Sequence, residues 1–422
     1  MQTKGGAPGT IVIPNHYEFN LQSYDLPLGA HIHSLANGSR ALADTALLWG
    51  GDDKRVYLPG NFSGSWVELV SNFMGYQRLE VFSVHGDGSL CSEIANGDLL
   101  EEFCGGGKII AWGATPQLYS LIDKVDAKTP LYISDFANER ALPAARYLDS
   151  KCGCRLTFPR KSGDKHLGGA IQMAAGYILP DLESAAAAAA EVATLNGYAV
   201  VKANHGVGGL NIAILCGEGE AILGKLKSLS RWDPLWRQTP LVVEEMIVGQ
   251  PLTVDWFLSE SGDAELVGVG AMRIERGSRY RGVVAGRGVI SKDLLESVSL
   301  AGREIVARVS RVGYSGWLNA DFILSREGGL YLSELNMRRS SPTHAFEGAR
   351  HLKGAGWAER VALTTDEHLT FIGAPPTAEA IVNAFCRFNA GASSGEGALV
   401  THINNSLKCS PPYIGFYYLH NL

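Results

Sequence analysis

Short apolar runs alternate with amphipathic stretches along the first third of the chain. The runs GTIVIP (9–14), RLEVFSV (78–84), KIIAWG (108–113) and PLYISD (130–135) have the length and β-branched content of strands. The stretches SGSWVELVSNFMG, TPQLYSLIDKV and ANERALPAARYLDS have the spacing of helices. Alternation of this kind predicts an α/β domain with a largely parallel sheet, which we assign to residues 1–154.

A different pattern begins near Arg155. The segment PDLESAAAAAAEVATLNG (180–197) predicts a helix, because acidic residues crowd its start, alanines fill its middle and Asn196-Gly197 ends it. Strands, a helix over 292–313 and a hairpin over 316–337 follow without strict alternation, which predicts an antiparallel-rich α+β unit over 155–365. We assign residues 366–422 to a small C-terminal segment that completes the fold.

Composition narrows the class of protein. The 422 residues are 46% hydrophobic and 19% charged, as in folded globular proteins. The net charge of −6 provides no field that would attract nucleic acid or an anionic membrane. The N-terminal residues have no apolar run long enough for a secretory signal, so we expect a cytoplasmic protein.

The hairpin segment GWLNADFILSREGGLYLSELNM (316–337) predicts a specific pairing of its two strands. If REGG (326–329) forms the loop, Ser325 pairs with Leu330, Asp321 lies opposite Glu334 and Asn319 lies opposite Asn336. These four polar side chains then share one face. The apolar residues between them turn to the other face, namely Ala320, Phe322, Leu332 and Leu335.

Two opposed carboxylates on such a face need a cation between them. Their Cβ atoms would lie ~4.5–5.5 Å apart, and at an effective dielectric near ~20 they repel by a few kcal/mol. Carboxylate and amide oxygens at this spacing suit Mg²⁺ together with waters and nucleotide phosphates. We therefore predict Asp321, Glu334 and Asn336 as metal ligands. The alternative is a solvated face on which the carboxylates meet Arg338 and Arg339.

Two lysines are candidates for binding phosphates. Lys202 precedes ANHGVGGLN (203–211), whose glycines let backbone N–H groups approach an anion closely. Lys165, in SGDKHLGGA, is the other candidate. Each lysine taken alone is also consistent with a surface charge. The following stretch VVEEMIVG (242–249) offers either an edge for a purine and ribose or a charged strand rim.

The order of these features resembles the ATP-grasp superfamily of carboxylate–amine ligases. Its members place a lysine before the central domain, a second lysine ahead of a glycine-rich flap, a glutamate-led adenine hinge, and an Asp…Glu-x-Asn set that holds Mg²⁺. The chain has each feature in that order between residues 160 and 345. SELNMRRSSPTH (333–344) and the N-terminal α/β region further resemble the peptide ligases of pheganomycin type, which carry an extra domain before the grasp fold.

The resemblance implies an N-terminal α/β pre-ATP-grasp domain followed by an ATP-grasp fold. It implies a ligase that uses ATP and Mg²⁺ to activate a small acidic acyl substrate as an acyl phosphate and joins it to an amino acid or peptide acceptor. A dimer is common in the family, so a homodimer is one expected assembly. The implied nucleotide contacts are Lys165, Lys202, His205, Gly206, Gly208, Gly209, Glu244, Glu245, Ile247 and Asp255, the last in place of a ribose-binding glutamate whose position falls at Pro251.

Arginines supply the predicted contacts to the reacting oxygens. Arg338 and Arg339 follow the metal strand directly, and their guanidinium forks suit a carboxylate or phosphate. Arg338 shares the strand parity of Glu334 and Asn336, so it is the first choice, provided that the strand continues past Met337; Arg273 is a further candidate. An ATP-grasp ligase of a non-peptide carboxylate and an ATP-binding regulatory protein without turnover are the alternative functions.

Overall fold

Three β-sheets organise the protein. The computed structural model describes residues 9–421 apart from 26–27, 30, 87–88, 104–106, 127–130, 134, 159–170, 207, 276 and 393–395. The strands are β1 (Thr10–Ile13), β2 (Asp53–Pro59), β3 (Arg78–Val84), β4 (Gly107–Ala111), β5 (Leu131–Ile133), β6 (Gly176–Leu179), β7 (Ala199–Lys202), β8 (Ile212–Leu215), β9 (Leu241–Glu245), β10 (Gly249–Leu258), β11 (Ala264–Glu275), β12 (Arg279–Gly286), β13 (Gly316–Ser325), β14 (Leu330–Asn336), β15 (Val361–Thr370), β16 (Gly397–His402) and β17 (Tyr413–Asn421).

Helices connect and cover these strands. They are α1 (His16–Leu21), α2 (His31–Leu42), α3 (Gly64–Met74), α4 (Leu90–Asn96), α5 (Leu99–Phe103), α6 (Pro116–Asp126), α7 (Leu142–Asp149), α8 (Lys151–Thr157), α9 (Leu182–Asn196), α10 (Gly219–Trp232), α11 (Lys292–Ser310), α12 (Thr343–Lys353), α13 (Trp357–Arg360) and α14 (Ala378–Asn389). Among the described residues, no helix has both the length and the apolar content needed to cross a membrane.

The N-terminal sheet is parallel throughout, with the strand order β3-β2-β1-β4-β5. Strand β1 reads TIVI and is almost wholly buried, as expected of a strand covered on both faces. The order reverses direction between β1 and β4, which both leave the sheet at its carboxyl edge. The prediction of a parallel α/β domain is therefore confirmed, and crevices at such a reversal are where open α/β sheets bind ligands.

The remaining two sheets are antiparallel. The larger has eight strands in the order β14-β13-β10-β11-β12-β15-β17-β16, and the smaller has four in the order β6-β9-β7-β8. The alanine-rich helix α9 begins at its N-cap Asp181, which accepts from the Ser184 N–H at 2.6 Å, and ends at Gly197. Its alanines pack on the small sheet, so small side chains let the helix approach the strands closely.

The hydrophobic cores join the domains. Two apolar clusters each combine residues of the N-terminal sheet with residues of the large sheet, whereas the third belongs to the small sheet and its helices. Helix α8 crosses the predicted boundary at 154/155, and strand β15 crosses the one at 365/366. The C-terminal strands β16 and β17 extend the large sheet through β15.

Candidate active site

A cleft opens where the small sheet, the large sheet and the N-terminal domain meet, with a volume of about 210 Å³. The small sheet supplies an apolar wall that includes Val200, Ile212 and Ile214. The large sheet supplies a polar floor, and the N-terminal domain closes the far end with side chains from the carboxyl edge of its sheet. An apolar wall facing a few convergent polar groups is typical of a small-molecule site.

The β13–β14 hairpin forms the polar floor. Asp321 lies opposite Glu334 and Asn319 lies opposite Asn336, so the predicted pairing is confirmed at this end of the hairpin. All four side chains line the cleft. Four apolar residues were predicted on the opposite face, and all four are buried. Ala320 and Leu335 do not line the cleft, whereas Phe322 and Leu332 do.

The prediction is wrong by one residue near the turn. Leu324, and not Ser325, pairs with Leu330, and the Ser325 N–H closes the turn by donating to the Gly329 carbonyl at 2.8 Å. The two strands regain the predicted pairing because a bulge leaves Ser333 without an opposed residue. With this bulge, the consecutive residues Ser333 and Glu334 both line the cleft.

The two opposed carboxyl groups have different protonation preferences. Burial and the nearby Glu334 raise the pKa of Asp321 well above its usual range. Burial opposes ionisation of Glu334 as well, but the Lys151 ammonium bonds its Oε2 and lowers the pKa of Glu334 to about 2. Asp321 thus favours its neutral form, and the Lys151 ammonium offsets the charge of Glu334. Both effects reduce the negative charge at the position where the sequence predicts a divalent cation.

Asn336 completes the predicted metal set. Its Nδ2 donates to Asn319 Oδ1 at 2.7 Å, and its Oδ1 accepts from Arg338 Nη2 at 2.9 Å. Asn319 in turn donates to Thr253 and Asp255, both at 2.7 Å. Two carboxylates and an amide oxygen on one face fit a hard cation whose other ligands are waters and phosphates. Among the described residues, no cluster of three or more His, Cys, Asp or Glu side chains could hold a metal ion. Binding at this face would therefore depend on the waters and phosphates as further ligands.

Lys202 ends β7 and reaches the same floor. Its Nζ donates to the carbonyl and the hydroxyl of Ser333, both at 3.2 Å, and bonds Glu244 Oε2 at 2.6 Å. Arg155 bonds the other Glu244 oxygen at 2.6 Å. Glu244 therefore lines the cleft as the partner of two cations. The other predicted phosphate ligand, Lys165, lies outside the described residues.

Lys151 supplies a second ammonium that the sequence pattern did not single out. It is the first residue of α8, whose N-cap Ser150 accepts from the Gly153 N–H at 2.9 Å. The Lys151 N–H donates to the Asn204 carbonyl at 2.8 Å, which joins α8 to the start of the glycine loop. No local signal marks this lysine, because only long-range packing brings α8 to the metal face.

The glycine loop folds over the cleft. Gly208 and Gly209, with φ of 62° and 77°, line it, and a Cβ on Gly209 would lie 1.9 Å from the Ser278 carbonyl oxygen. Only glycine allows this left-handed, closely packed segment. Gly206 packs against Asn211 and His205 is partly buried, but neither is among the residues that line the cleft.

The predicted hinge connects β9 to β10. Glu245 accepts from the Ala175 N–H at 2.8 Å, so its carboxylate secures the strand end. Met246 and Ile247 line the cleft beside the apolar wall. The hinge therefore offers a backbone edge between apolar side chains, which is a suitable surface for a planar base.

Arg338 lies in the cleft. Its guanidinium donates to the Arg339 carbonyl at 2.8 Å and to Asn336, and it lies 5.1 Å from the Trp112 ring and 5.7 Å from that of Phe19. These contacts hold it beside the metal face although β14 ends at Asn336. Its role in catalysis stays a prediction.

Arg339 points away from the cleft, contrary to its place among the predicted catalytic residues. It is 1% exposed and forms ion pairs with Asp135 of the N-terminal domain and Glu347 of α12. Its Nε donates to the Ala111 carbonyl at 3.1 Å, and its N–H donates to the Trp112 carbonyl at 3.0 Å. Arg339 thus fastens the N-terminal domain to the strand that carries the metal face.

Arg273 is also misplaced for the predicted role. It lies on the face of β11 opposite to Met272 and Ile274, which line the cleft. Its guanidinium donates to the Thr365 carbonyl at 3.0 Å and pairs with Asp366 at 3.2 Å. Strand alternation therefore keeps it from the reacting oxygens.

Asp255 does not reach the cleft as a ribose ligand. It is 1% exposed and accepts from Asn319 Nδ2 at 2.7 Å, Ser340 Oγ at 2.7 Å and Thr343 Oγ1 at 2.5 Å. Burial raises its pKa, against the effect of these donors. The carboxyl group supports the turn before α12, whereas Pro251 is the residue of β10 that lines the cleft.

The N-terminal domain contributes residues that the sequence pattern did not mark. His16 and Asn20, from the segment after β1, and Trp112, directly after β4, line the far end of the cleft. Asn15 fixes this end by donating to the Gly113 carbonyl at 2.8 Å and accepting from the Trp112 N–H at 3.0 Å. The sequence does contain a signal for these cleft residues, because polar and aromatic side chains directly follow two predicted parallel strands.

Comparison with known proteins identifies the fold. No family model and no curated protein matches the sequence. By structure, the chain is similar to the biotin carboxylase domain of 2-oxoglutarate carboxylase from Hydrogenobacter thermophilus, with a TM-score of 0.55 at 13% identity over 98% of this chain and 86% of that one. It is also similar to N5-carboxyaminoimidazole synthase from Aspergillus clavatus, with a TM-score of 0.54 at 13% identity over 98% and 94%. Biotin carboxylase from Campylobacter jejuni gives 0.53 at 11% identity over 98% and 87%. The chain therefore has the predicted fold, an N-terminal α/β domain followed by an ATP-grasp fold.

Proposed function

We propose that this protein is an ATP-dependent ligase that joins a carboxylate to an amine through an acyl phosphate. The observation that carries the proposal is the cleft floor, where Asp321 and Glu334 lie opposed with Lys151 and Lys202 beside them. Carboxylates suited to a cation and ammonium groups suited to phosphates are what phosphoryl transfer requires. The ATP-grasp fold around this floor supports the proposal.

ATP and Mg²⁺ are the proposed cofactors. The Hydrogenobacter domain was solved with MgADP, ADP and bicarbonate, and the Campylobacter enzyme with a β-γ-ATP complex. In this chain the Met246–Ile247 hinge would receive the base, and the loop containing Gly208 and Gly209 would cover the phosphates. Held by Asp321, Glu334 and Asn336, Mg²⁺ would supply charge that neutralises the phosphates.

The side chains in the cleft, and Lys151 behind its floor, have complementary tasks in this reaction. Lys151 and Lys202 offset the charge of the phosphates, which otherwise repel a carboxylate substrate. Arg338, oriented by Asn336 and the Arg339 carbonyl, holds the carboxylate or the acyl phosphate oxygens in place. The glycine loop, in contact with Ser278, covers the reacting groups and limits access of water.

The substrates in this proposal are a small acidic acyl donor and an amino acid or peptide acceptor. The segment SELNMRRSSPTH and the preceding α/β domain, which resemble the pheganomycin-type peptide ligases, support this choice. A homodimer is the proposed assembly, and the dimeric Hydrogenobacter domain supports it.

The test is product analysis after incubation with ATP, Mg²⁺ and pooled acids, amino acids and peptides. We expect ADP release only when an acid and an amine are both present, together with a new amide mass in the products. A separate incubation with bicarbonate as the only acid tests a carboxylating ligase, which the bicarbonate in the Hydrogenobacter structure suggests. ATP binding without turnover across the whole panel would contradict the ligase proposal and favour a regulatory protein.

A further inference from the structure

A second cavity lies between the N-terminal sheet and the large sheet, with a volume of about 430 Å³. Its lining shares no residue with that of the cleft. It lies against a face of the parallel sheet and not at the carboxyl edge, because Lys108 and Ile110, which line it, are two residues apart on β4. Pockets of this size accommodate small organic molecules. The cavity is therefore large enough for a ligand of amino-acid or dipeptide size.

The large sheet and helix α12 form the other walls. Trp317 of β13 lies opposite Phe257 of β10, and Phe257 lies opposite Glu265 of β11, so these side chains form one row across three strands. The rings of Trp317 and Phe257 meet edge to face with centroids 5.6 Å apart. Helix α12 adds side chains at the spacing of a single helix face, namely Glu347, Arg350 and His351. Strands and a helix thus hold an aromatic surface beside charged groups.

The inner end of the cavity is lined by two carboxylates that share one guanidinium. Asp135, which is 4% exposed, and Glu347 both pair with Arg339. Asp135 also accepts from the Ala111 N–H at 3.3 Å and from the Trp317 indole N–H at 3.2 Å. Glu347 uses Oε2 for Arg339, and no described residue donates to its Oε1. This oxygen is therefore able to accept from a ligand.

The protonation preference of Glu347 favours a cation at this end. Burial raises the pKa of Glu347, and Asp135 raises it further, against the effect of Arg339 and Lys54. Lys54 does not line the cavity, and its ammonium donates to the Trp49 carbonyl at 2.7 Å. A ligand ammonium beside Oε1 would stabilise the ionised carboxylate, whose charge the protein compensates only in part.

The rim of the cavity has the opposite character. Lys108 is exposed, and no carboxylate of the described residues pairs with it. Glu265 and Arg350 neutralise each other in an ion pair of 2.5 Å, and their side chains are 49% and 41% exposed. The lining also includes the apolar side chains of Ile110 and Val267. A ligand with an ammonium group for the inner end, a carboxylate for the rim and an apolar portion therefore matches the cavity.

We propose that this cavity is a second ligand site for a small zwitterion, an amino acid or a dipeptide with an apolar side chain. Its ammonium group donates to Glu347 Oε1, its carboxylate pairs with Lys108, and its side chain packs on Phe257 and Val267. The site is separate from the cleft, so binding here requires neither ATP nor the ligase reaction.

Isothermal titration calorimetry of the full chain without ATP tests the site. The probes are the twenty proteinogenic amino acids, each alone, and the dipeptides dialanine, dileucine and alanylphenylalanine. We expect at least one probe to bind. The two analogues of the tightest probe that lack the ammonium group or the carboxylate should each bind at least about fivefold more weakly. Comparison of the free amino acids with the dipeptides distinguishes the two sources of this chemistry.

Variants at the two ends of the cavity locate the bound probe. Lys108→Met should weaken binding about fivefold, and it should leave folding unaffected because Lys108 is exposed. Glu347→Gln, in which Arg339 retains Asp135, should weaken binding at least about tenfold. Lys225→Met, at an exposed position of α10, is the matched control and should leave binding unchanged.

The cleft is the competing location, since the proposed ligase would hold a carboxylate there through Arg338. Arg338→Met should therefore leave binding to the cavity unchanged. If the parent protein binds two equivalents of a probe, Lys108→Met should weaken one and Arg338→Met the other. Loss of binding in Arg338→Met with none in Lys108→Met would overturn the proposal, as would equal binding of the zwitterion and both analogues, or failure of every probe to bind. Each of these failures leaves the ADP-release test of the ligase function unaffected.

Discussion

The adjacent residues Arg338 and Arg339 should respond to the same substitution in opposite ways. In Arg339→Met, the carboxylates of Asp135 and Glu347 lose the guanidinium that bridges them. In Arg338→Met, no ion pair is broken, because the contacts of Arg338 in the described structure are a carbonyl, an amide oxygen and two aromatic rings. Methionine preserves most of the apolar stem in both variants.

The burial of the triad sets the size of the effect. Arg339 is 1% exposed and Asp135 is 4% exposed, so removal of the cation leaves a carboxylate in a site of low polarity. Breaking a buried pair from one side typically costs about 3–5 kcal/mol. We expect Arg339→Met to lose that amount of unfolding free energy. With a guanidinium m-value of about 4 kcal/mol/M, the denaturation midpoint would fall by roughly 1 M.

Tryptophan fluorescence during guanidinium denaturation measures this loss, and two of the eight tryptophans lie beside Arg339. The indoles of Trp49 and Trp317 lie 4.9 and 4.4 Å from the Arg339 guanidinium carbon, so their emission reports on this part of the core. Arg338→Met should lower the unfolding free energy by less than about 1.5 kcal/mol, while ADP release in the presence of an acid and an amine falls at least about 10²-fold. Similar stability of the two variants would refute the structural assignment of Arg339.

A compensating variant sharpens this test. Asp135→Asn should destabilise the parent protein, because it removes a carboxylate that pairs with Arg339. In the Arg339→Met background the same change removes the uncompensated charge, so part of the lost stability should return. Additive losses from the two substitutions would show that the ion pair is not the origin of the effect.

Three further predictions concern the metal face, the glycine loop and acid stability. Glu334→Gln should lower Mg²⁺-dependent ADP release by at least about 10²-fold. The control Glu327→Gln, on the exposed turn of the same hairpin, should leave it unchanged, and equal activity of the two variants would contradict the metal assignment. Gly209→Ala places a Cβ 1.9 Å from the Ser278 carbonyl oxygen at a residue with φ of 77°, so it should raise the KM for ATP by about tenfold. The control Gly224→Ala, in open space on α10, should leave this KM unchanged. Burial lowers the pKa of His344 to about 4, so the unfolded chain takes up a proton at this residue at a higher pH than the folded protein does. The unfolding free energy should therefore fall by up to about 1.4 kcal/mol per pH unit as the pH drops from 6.5 to 4. In His344→Asn the denaturation midpoint should depend less steeply on pH, and an unchanged dependence would contradict the assignment.

Local patterns were sufficient for many of the elements, although not for β2, and for the polar floor of the cleft. The loop assumed at residues 326–329 predicted that Asp321 lies opposite Glu334, which the structure confirms. The turn was misplaced by one residue, and the bulge at Ser333 corrected the register before it reached the carboxylates. A bulge has little sequence signature of its own, so the agreement at the metal face depended on two irregularities that offset each other.

Long-range packing determined what the local patterns could not. Lys151 reaches Glu334 only because α8 packs beside the hairpin, and nothing in SKCGC indicates that neighbour. Strand alternation could not predict which way Arg338 and Arg339 point, because β14 ends at Asn336. Beyond that residue, the contacts of each side chain determine its direction. For Arg339 those contacts include carboxylates whose positions depend on the docking of the N-terminal domain.

The contacts of Arg339 bear on how this scaffold could be recombined. Residues of the N-terminal domain line one end of the cleft, so exchange of this domain is a route to altered substrate selection. A transplanted domain would also need to present a carboxylate at the position of Asp135 and carbonyl groups at those of Ala111 and Trp112. Chimeras that retain these three partners should fold, and junctions placed without regard to them should yield insoluble protein.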